Sequence, residues 1–408
     1  MVIKFLIMSL IFSAISLGGE TPNPNSKAVN IVVPSGITIE ISGEAEIEFI
    51  NVEGNGGAQY EEDFLKKIET RSPYTQIDKT VLNLKLLYTE HLSYNFNLRF
   101  DDEGAYADKH FLKYEKNNFR IELGKNRPRV ALKRKTEGYP LIGTSYWKGR
   151  QYQFDVEQKI LSSSIGASIA LKRPLGYDDA AEDKSFRMLV YDDTEKLDGQ
   201  TIEYGLRGSH KMKLFKVEGW YYTGKLIDDE DWKKRLHYDF DYYAELEADT
   251  VLSKDANINH YWLGGRAELS LLGILYRFEY IYSKDGYLPR DGYYGEISSY
   301  FKLPILPNRF FILGRYGSLR IDSNRKAFPL SWSEDNNLAL LKDPQTWDRT
   351  MTTLALAYDI TTYAKLKFEY YVLDEDTGDT KIIADLQNRR YQPSVDDNQF
   401  LLQLELNF

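Results

Sequence analysis

From residue 36 to the last residue the chain alternates apolar and polar side chains with a period of two, and many of the polar positions carry full charges. Tyr94, Phe96, Leu98 and Phe100 alternate with Asn95, Asn97 and Arg99, and Phe119, Ile121 and Leu123 with Arg120 and Glu122. Tyr152, Phe154 and Val156 alternate with Gln151, Gln153, Asp155 and Glu157. The pattern returns in Tyr276–Tyr282 around Arg277 and Glu279, and in Ala364–Tyr370 around Lys365, Lys367 and Glu369. Successive side chains of a strand face opposite sides, so each stretch predicts a strand with one apolar and one charged face. A soluble sandwich alternates too. The density of full charges and the recurrence over nearly the whole length set this chain apart from one.

Composition narrows the choice. Mean hydropathy is −0.48 and the one long apolar run is N-terminal, which excludes a bundle of membrane helices. Aromatics reach 14%, with 31 Tyr and 20 Phe, an excess that suits strands and the aromatic girdles of a membrane barrel. With no Cys there are no disulfides, thiolate metal sites, thiol catalysis or cysteine-borne lipid. A net charge of −9 argues against a nucleic-acid partner.

Residues 1–19 read as a cleavable secretory signal: Lys4, an apolar run from Phe5 to Leu17, then the small residues Ser16 and Gly18 before Glu20. The run is shorter than the roughly 20 residues of a membrane-crossing helix. Residues 20–35 are expected to be a flexible lead-in, and 36–408 a single barrel.

Connections are of two kinds. Glu115–Asn118, Leu271–Gly273, Leu303–Asn308 and Asp359–Tyr363 are short; Glu53–Asp78, Asn126–Lys148, Asp322–Gln345 and Asp374–Asp396 are long and polar. Short turns at one end and long loops at the other are the asymmetry of an outer-membrane barrel. The fold expected is therefore all-β: a transmembrane antiparallel up-and-down β-barrel of 16–18 strands, with 18 preferred. Those strands are 36–52, 79–90, 92–101, 108–117, 118–125, 149–160, 162–172, 184–192, 200–210, 211–223, 236–249, 259–271, 273–283, 292–302, 308–321, 347–360, 362–373 and 397–408. An even count puts both termini on the periplasmic side. At the C-terminus Phe400, Leu402, Leu404, Leu406 and Phe408 share one face. Ending on Phe408, this strand has the form that barrel-insertion machinery recognises, which makes Phe408 the candidate assembly signal.

Asn308–Asp322 (NRFFILGRYGSLRID), Thr346–Tyr371 and Asp397–Phe408 (DNQFLLQLELNF) resemble the closing hairpins of bacterial outer-membrane porins, most of all the phosphate-selective group. The resemblance covers the C-terminal third; the rest matches in pattern only. It implies a water-filled channel in the cell outer membrane for passive diffusion of small hydrophilic solutes or ions, and a homotrimer.

Physics alone reaches a compatible reading. A sheet can span a bilayer only when closed, with apolar faces toward lipid and charged faces inward. At 16–18 strands the interior is an aqueous channel. Lys85, Arg99, Arg120, Glu122, Asp155, Glu157, Arg277, Glu279, Lys365, Lys367 and Glu369 are the candidate pore-lining residues, expected mainly to pair with one another across neighbouring strands. In the connection after the fifth strand, Lys125, Arg127, Arg129, Lys133, Arg134 and Lys135 stand together with no acid among them. If that loop folds inward, they form a candidate constriction leaning toward anions; on an exposed loop they would meet lipopolysaccharide phosphates. His91, His110, His210, His237 and His260 fall in no recognisable catalytic motif. No catalytic residue, metal or cofactor is expected, and the chain is not read as an enzyme. The partners expected are outer-membrane lipids and lipopolysaccharide, the permeating solutes or anions, and the insertion machinery. The alternatives are an adhesin or structural barrel acting through its extracellular loops and, behind it, a barrel enzyme.

Overall fold

The structure is a computed structural model that describes residues 29–33, 36–54, 73–101, 104–132, 135–136, 150–172, 201–225, 259–285, 288–303, 308–321, 348–376 and 394–408. The expected signal segment 1–19 lies outside the described residues. Seventeen strands form one sheet. They are β1 (Val29–Val32), β2 (Thr38–Gly54), β3 (Tyr74–Leu87), β4 (Leu92–Asp101), β5 (Gly104–Lys116), β6 (Phe119–Asn126), β7 (Gln151–Ile160), β8 (Ser163–Lys172) and β9 (Thr201–Lys211). The second half holds β10 (Phe215–Lys225), β11 (Asn259–Leu271), β12 (Ile274–Asp285), β13 (Leu288–Lys302), β14 (Arg309–Ile321), β15 (Asp348–Asp359), β16 (Ala364–Asp376) and β17 (Ser394–Asn407).

From β2 to β17 each strand pairs antiparallel with its sequence neighbours, and β17 pairs back onto β2 from Asn407↔Glu44 to Asp397↔Gly54. The ring therefore closes at 16 strands, leaving no edge to satisfy. The preferred count of 18 is corrected, because the extra strands expected at 184–192 and 236–249 have no place in it. β8 pairs directly with β9 (Lys172↔Thr201), and β10 directly with β11 (Lys225↔Asn259). Both segments lie outside the described residues. The seventeenth strand, β1, falls in the expected lead-in 20–35. It folds back through a turn with Gly36 at φ 81° and pairs with Thr38–Ile41 of β2, beyond the point where β17 ends.

The chain's alternation maps onto the two faces of this wall. Leu123 (54% exposed), Phe278 (51%), Ile297 (54%) and Leu354 (57%) point out, while Glu46, Glu122, Asp155, Glu279, Glu296 and Glu369 are all buried within. A water-soluble domain does the reverse. An apolar exterior running round a closed ring, with charges inside, is what a bilayer selects.

One end of the ring carries the tight turns at 117–118, 161–162 and 272–273, where Asn117, Leu161 and Leu272 adopt φ of 53°, 54° and 52°. The left-handed first residue gives a two-residue turn the twist of its flanking strands. β2 starts and β17 ends at this end; the segments 55–73, 127–150, 173–200, 226–258, 322–347 and 377–393 connect strands at the other.

Candidate functional site

The lumen is lined by charges in matched pairs. All eleven pore-lining candidates share the inward face with these buried acids by strand register. Arg99 bonds Asp101 at 2.8 Å and Lys85 bonds Glu40 at 2.8 Å; Arg120 pairs with Glu122. Arg207 holds Asp155 at 2.8 Å and reaches Glu157 at 3.3 Å. Lys367 takes Gln403 at 2.6 Å and Glu405 at 2.9 Å, Lys365 reaches Glu405 at 3.5 Å, and Glu369 accepts from the Tyr371 hydroxyl. Glu46, Glu48 and Asp78 bring carboxylates within 4.8 Å of one another. Lys79 sits 2.6 Å from Glu46, and the Gln76 and Gln403 amides donate to Glu48, so the group is bound into the wall network.

Across this lumen runs a strap made of the residues after β6. At its root the Gln153 side chain donates to the Arg127 carbonyl at 3.0 Å. Further on, Arg266 of β11 donates to the Val130 carbonyl at 3.2 Å. Lys135 reaches Glu296 at 3.1 Å and Ser298 at 3.0 Å on β13, and Arg315 of β14 donates to the Thr136 hydroxyl at 3.0 Å. β6 and β14 stand opposite each other in the ring, so the segment spans from one wall to the other.

At its far end the strap meets the carboxylate of Glu296. Glu296 is buried and accepts from Arg315 at 2.8 Å, from Arg277 at 3.1 Å and from Lys135. Burial pushes the Lys135 ammonium below the ordinary lysine range, against the pull of Glu296 upward, with Arg277 and Arg315 adding to the depression. Arg277 also bonds Glu268 at 2.7 Å, and Arg266 bridges Glu218 at 2.9 Å and Glu279 at 3.2 Å.

The six expected constriction cations do not form one group. Arg127, Arg129 and Lys135 are on the strap; Lys133 and Arg134 lie outside the described residues. Lys125 is still in β6, where register pairs it with His110 and Tyr152 on the face of Leu123 and Phe154, yet its side chain is buried rather than open to lipid. Alternation decides this: one residue past the inward Gly124, the chain faces out again.

Aromatic residues inside the ring were not anticipated. Trp220, Tyr222, Trp262 and Tyr294 are all buried on the inner face, with Tyr222 stacked on Trp262 at 4.6 Å. Three glycines make room for large inner side chains to lie flat: Gly264 under Trp220, Gly205 under Tyr222 and Gly166 under Arg207. That glycine placement opposite bulky residues is the only signal the sequence carries for them. Of the histidines, His237 lies outside the described residues and His260 stands on β11. His210 bonds Ser163 at 2.8 Å on the outer face, and among the described residues no carboxylate hydrogen-bonds to that pair.

No protein-family profile and no curated protein matches the sequence. Solved structures do match its fold. The outer membrane channel DcaP of Acinetobacter baumannii aligns with a TM-score of 0.58 at 11% identity, over 93% of this chain and 100% of that one. Pseudomonas putida OprB gives 0.57 at 8%, over 92% and 94%. The anion-selective porin of Comamonas acidovorans gives 0.54 at 10%, over 91% and 100%. The fold is that of outer-membrane porins.

Proposed function

We propose that the protein is an outer-membrane porin: a water-filled channel through which small hydrophilic solutes diffuse passively, leaning toward anions. One observation carries the reading. A 16-strand ring, wide enough for an aqueous lumen, is lined by ion pairs and crossed from wall to wall by a strap bearing Arg127, Arg129 and Lys135. The paired wall charges give water and ions a polar path with little net field of their own. The strap brings cations into the narrowed section, where low-dielectric walls weaken screening. They then set the sign of selectivity despite a chain charge of −9. Kinship to the phosphate-selective group, assembly as a trimer and export through the N-terminal signal belong to the same reading.

The test is conductance in planar bilayers under a KCl gradient. Discrete ohmic steps, with a zero-current potential displaced toward the chloride equilibrium, are expected. Folded protein that adds no conductance ends the channel reading; a displacement toward potassium ends the anion leaning alone.

A further inference from the structure

The outer wall is not evenly ridged. On its lipid side a recess of about 610 Å³ crosses the strands from β10 to β15. One bank is a single row of register partners: Phe215, Leu269, Tyr276, Ile297, Gly314 and Leu354. The other is the next outward row, from Ala267 through Phe278, Gly295 and Tyr316 to Thr352. Between the banks Arg277, Glu296 and Arg315 turn their side chains inward and leave backbone as the floor. Gly295 and Gly314 deepen it. Beyond the chain neighbours, a Cβ on Gly295 would meet nothing within 4 Å, and one on Gly314 only Leu354 at 3.9 Å. Phe278, Ile297, Tyr316 and Leu354 are exposed and stand as ridges around these two pits.

The furrow also climbs the wall. Phe215 opens β10, and Leu269 and Tyr276 lie two residues from the strand ends that meet at the 272–273 turn. Ile297, Gly314 and Leu354 lie five residues in from their ends on the same side of the ring. Tight turns mark the periplasmic end of an outer-membrane barrel. Five strand spacings of about 4.8 Å make the furrow roughly 24 Å long. Barrel strands tilt by about 35–45°, so a furrow at right angles to them rises roughly 15 Å, half of the roughly 30 Å hydrocarbon core. That is the depth of one leaflet.

These features select an occupant. The banks carry no charged side chain. An empty pit forfeits dispersion contacts, and in lipid those contacts supply much of the attraction between apolar surfaces. A flat partner wall would rest on the ridges, whereas a flexible hydrocarbon chain enters the pits. At the lower mouth the exposed Lys213, two residues before Phe215, offers a cation at headgroup depth, where a lipid phosphate lies. We propose that the furrow seats one acyl chain of a phospholipid from the periplasmic leaflet, against which its lower mouth opens. The inference needs only that the ring spans a membrane, so conductance and selectivity do not bear on it.

The test is a titration of delipidated protein in detergent with palmitoyl-oleoyl phosphatidylethanolamine, read by native mass spectrometry. The wild type is expected to take up one lipid well before any others. Gly295→Leu with Gly314→Leu fills both pits without backbone strain, since neither glycine has a positive φ, and should need about tenfold more lipid for half occupancy. Gly208→Leu, on the outer face of β9 away from the furrow, should bind like the wild type. If the double variant lacks the heat-dependent gel shift of a folded barrel, Gly295→Leu alone serves, with a rise of about threefold expected. Equal uptake by wild type and the furrow variants, an equal loss in Gly208→Leu, or no one-lipid species in the wild type overturns the seat. So does spontaneous disulfide-linking of a Phe278→Cys variant into dimers in membranes, which would give the furrow to a second copy of the chain.

Discussion

Residue by residue, the alternation fixes which solvent each side chain meets, and it does so with few exceptions. Phe368 and Lys365 stand three positions apart in β16, the first on the lipid face and the second inside with a third of its side chain open to the lumen. A cysteine at 365 should react with water-soluble thiol reagents in intact membranes, and one at 368 should not. The reverse pattern would turn the barrel inside out. On the lipid face, Leu354→Arg places a charge among acyl chains and is expected to cost about 2–4 kcal/mol if the site is near the midplane, read as a lower denaturation midpoint. Inside, Glu296→Gln would leave Arg277, Arg315 and Lys135 facing one another around a neutral amide. Removing one partner of a buried ion pair costs about 3–5 kcal/mol, so this variant should lose more stability than Glu40→Gln, whose Lys85 partner is open to water. The period could have been carried further: read from Leu123 through Gly124, it places Lys125 on the face of Leu123 and not on that of Glu122.

At the level of elements, sixteen of the expected strands have counterparts in the ring, because hairpins with clean alternation and tight turns announce themselves. The two surplus strands arose where the pattern is blurred. In β10 the run Gly219-Trp220-Tyr221-Tyr222 offers aromatics to both faces, so period-two reading finds no inside there. Only the pairing of β10 with β9 and β11 shows the inward aromatics lying over Gly264 and Gly205. The seam between β2 and β17 is better marked. Phe408 exchanges backbone hydrogen bonds with Gly43 at 2.7 and 3.0 Å, and its ring covers Gly43 so closely that a Cβ there would collide with it. Truncation of Phe408 removes the last rung of the closing pair. It should lower the fraction of protein that shows a heat-dependent shift in gel mobility, and Gly43→Leu should do the same by displacing the ring. Normal insertion of both variants would mean that the seam is secured elsewhere.

For the whole molecule, what sequence reading could not supply was the path of the segment after β6. A run of cations without acids reads equally as an exposed loop or an inward one; its course is decided by partners more than a hundred residues away, Arg266, Glu296 and Arg315. Those partners also make the strap removable. Without it Arg266 keeps Glu218 and Glu279, and Arg315 keeps Glu296, so no buried charge is left alone on the wall. Replacing residues 128–149 with a short glycine-serine turn should therefore leave a ring that folds and shifts on heating like the parent. Current through an aqueous pore is limited by its narrowest section, and the strap lies across that section in this reading, so the excised channel should conduct more. It should also lose much of its zero-current potential, because Arg129, Lys133, Arg134 and Lys135 leave with the strap while the paired wall remains. A folded ring whose conductance equals the parent's would show that the strap does not narrow the path, and selectivity would have to be sought on the wall.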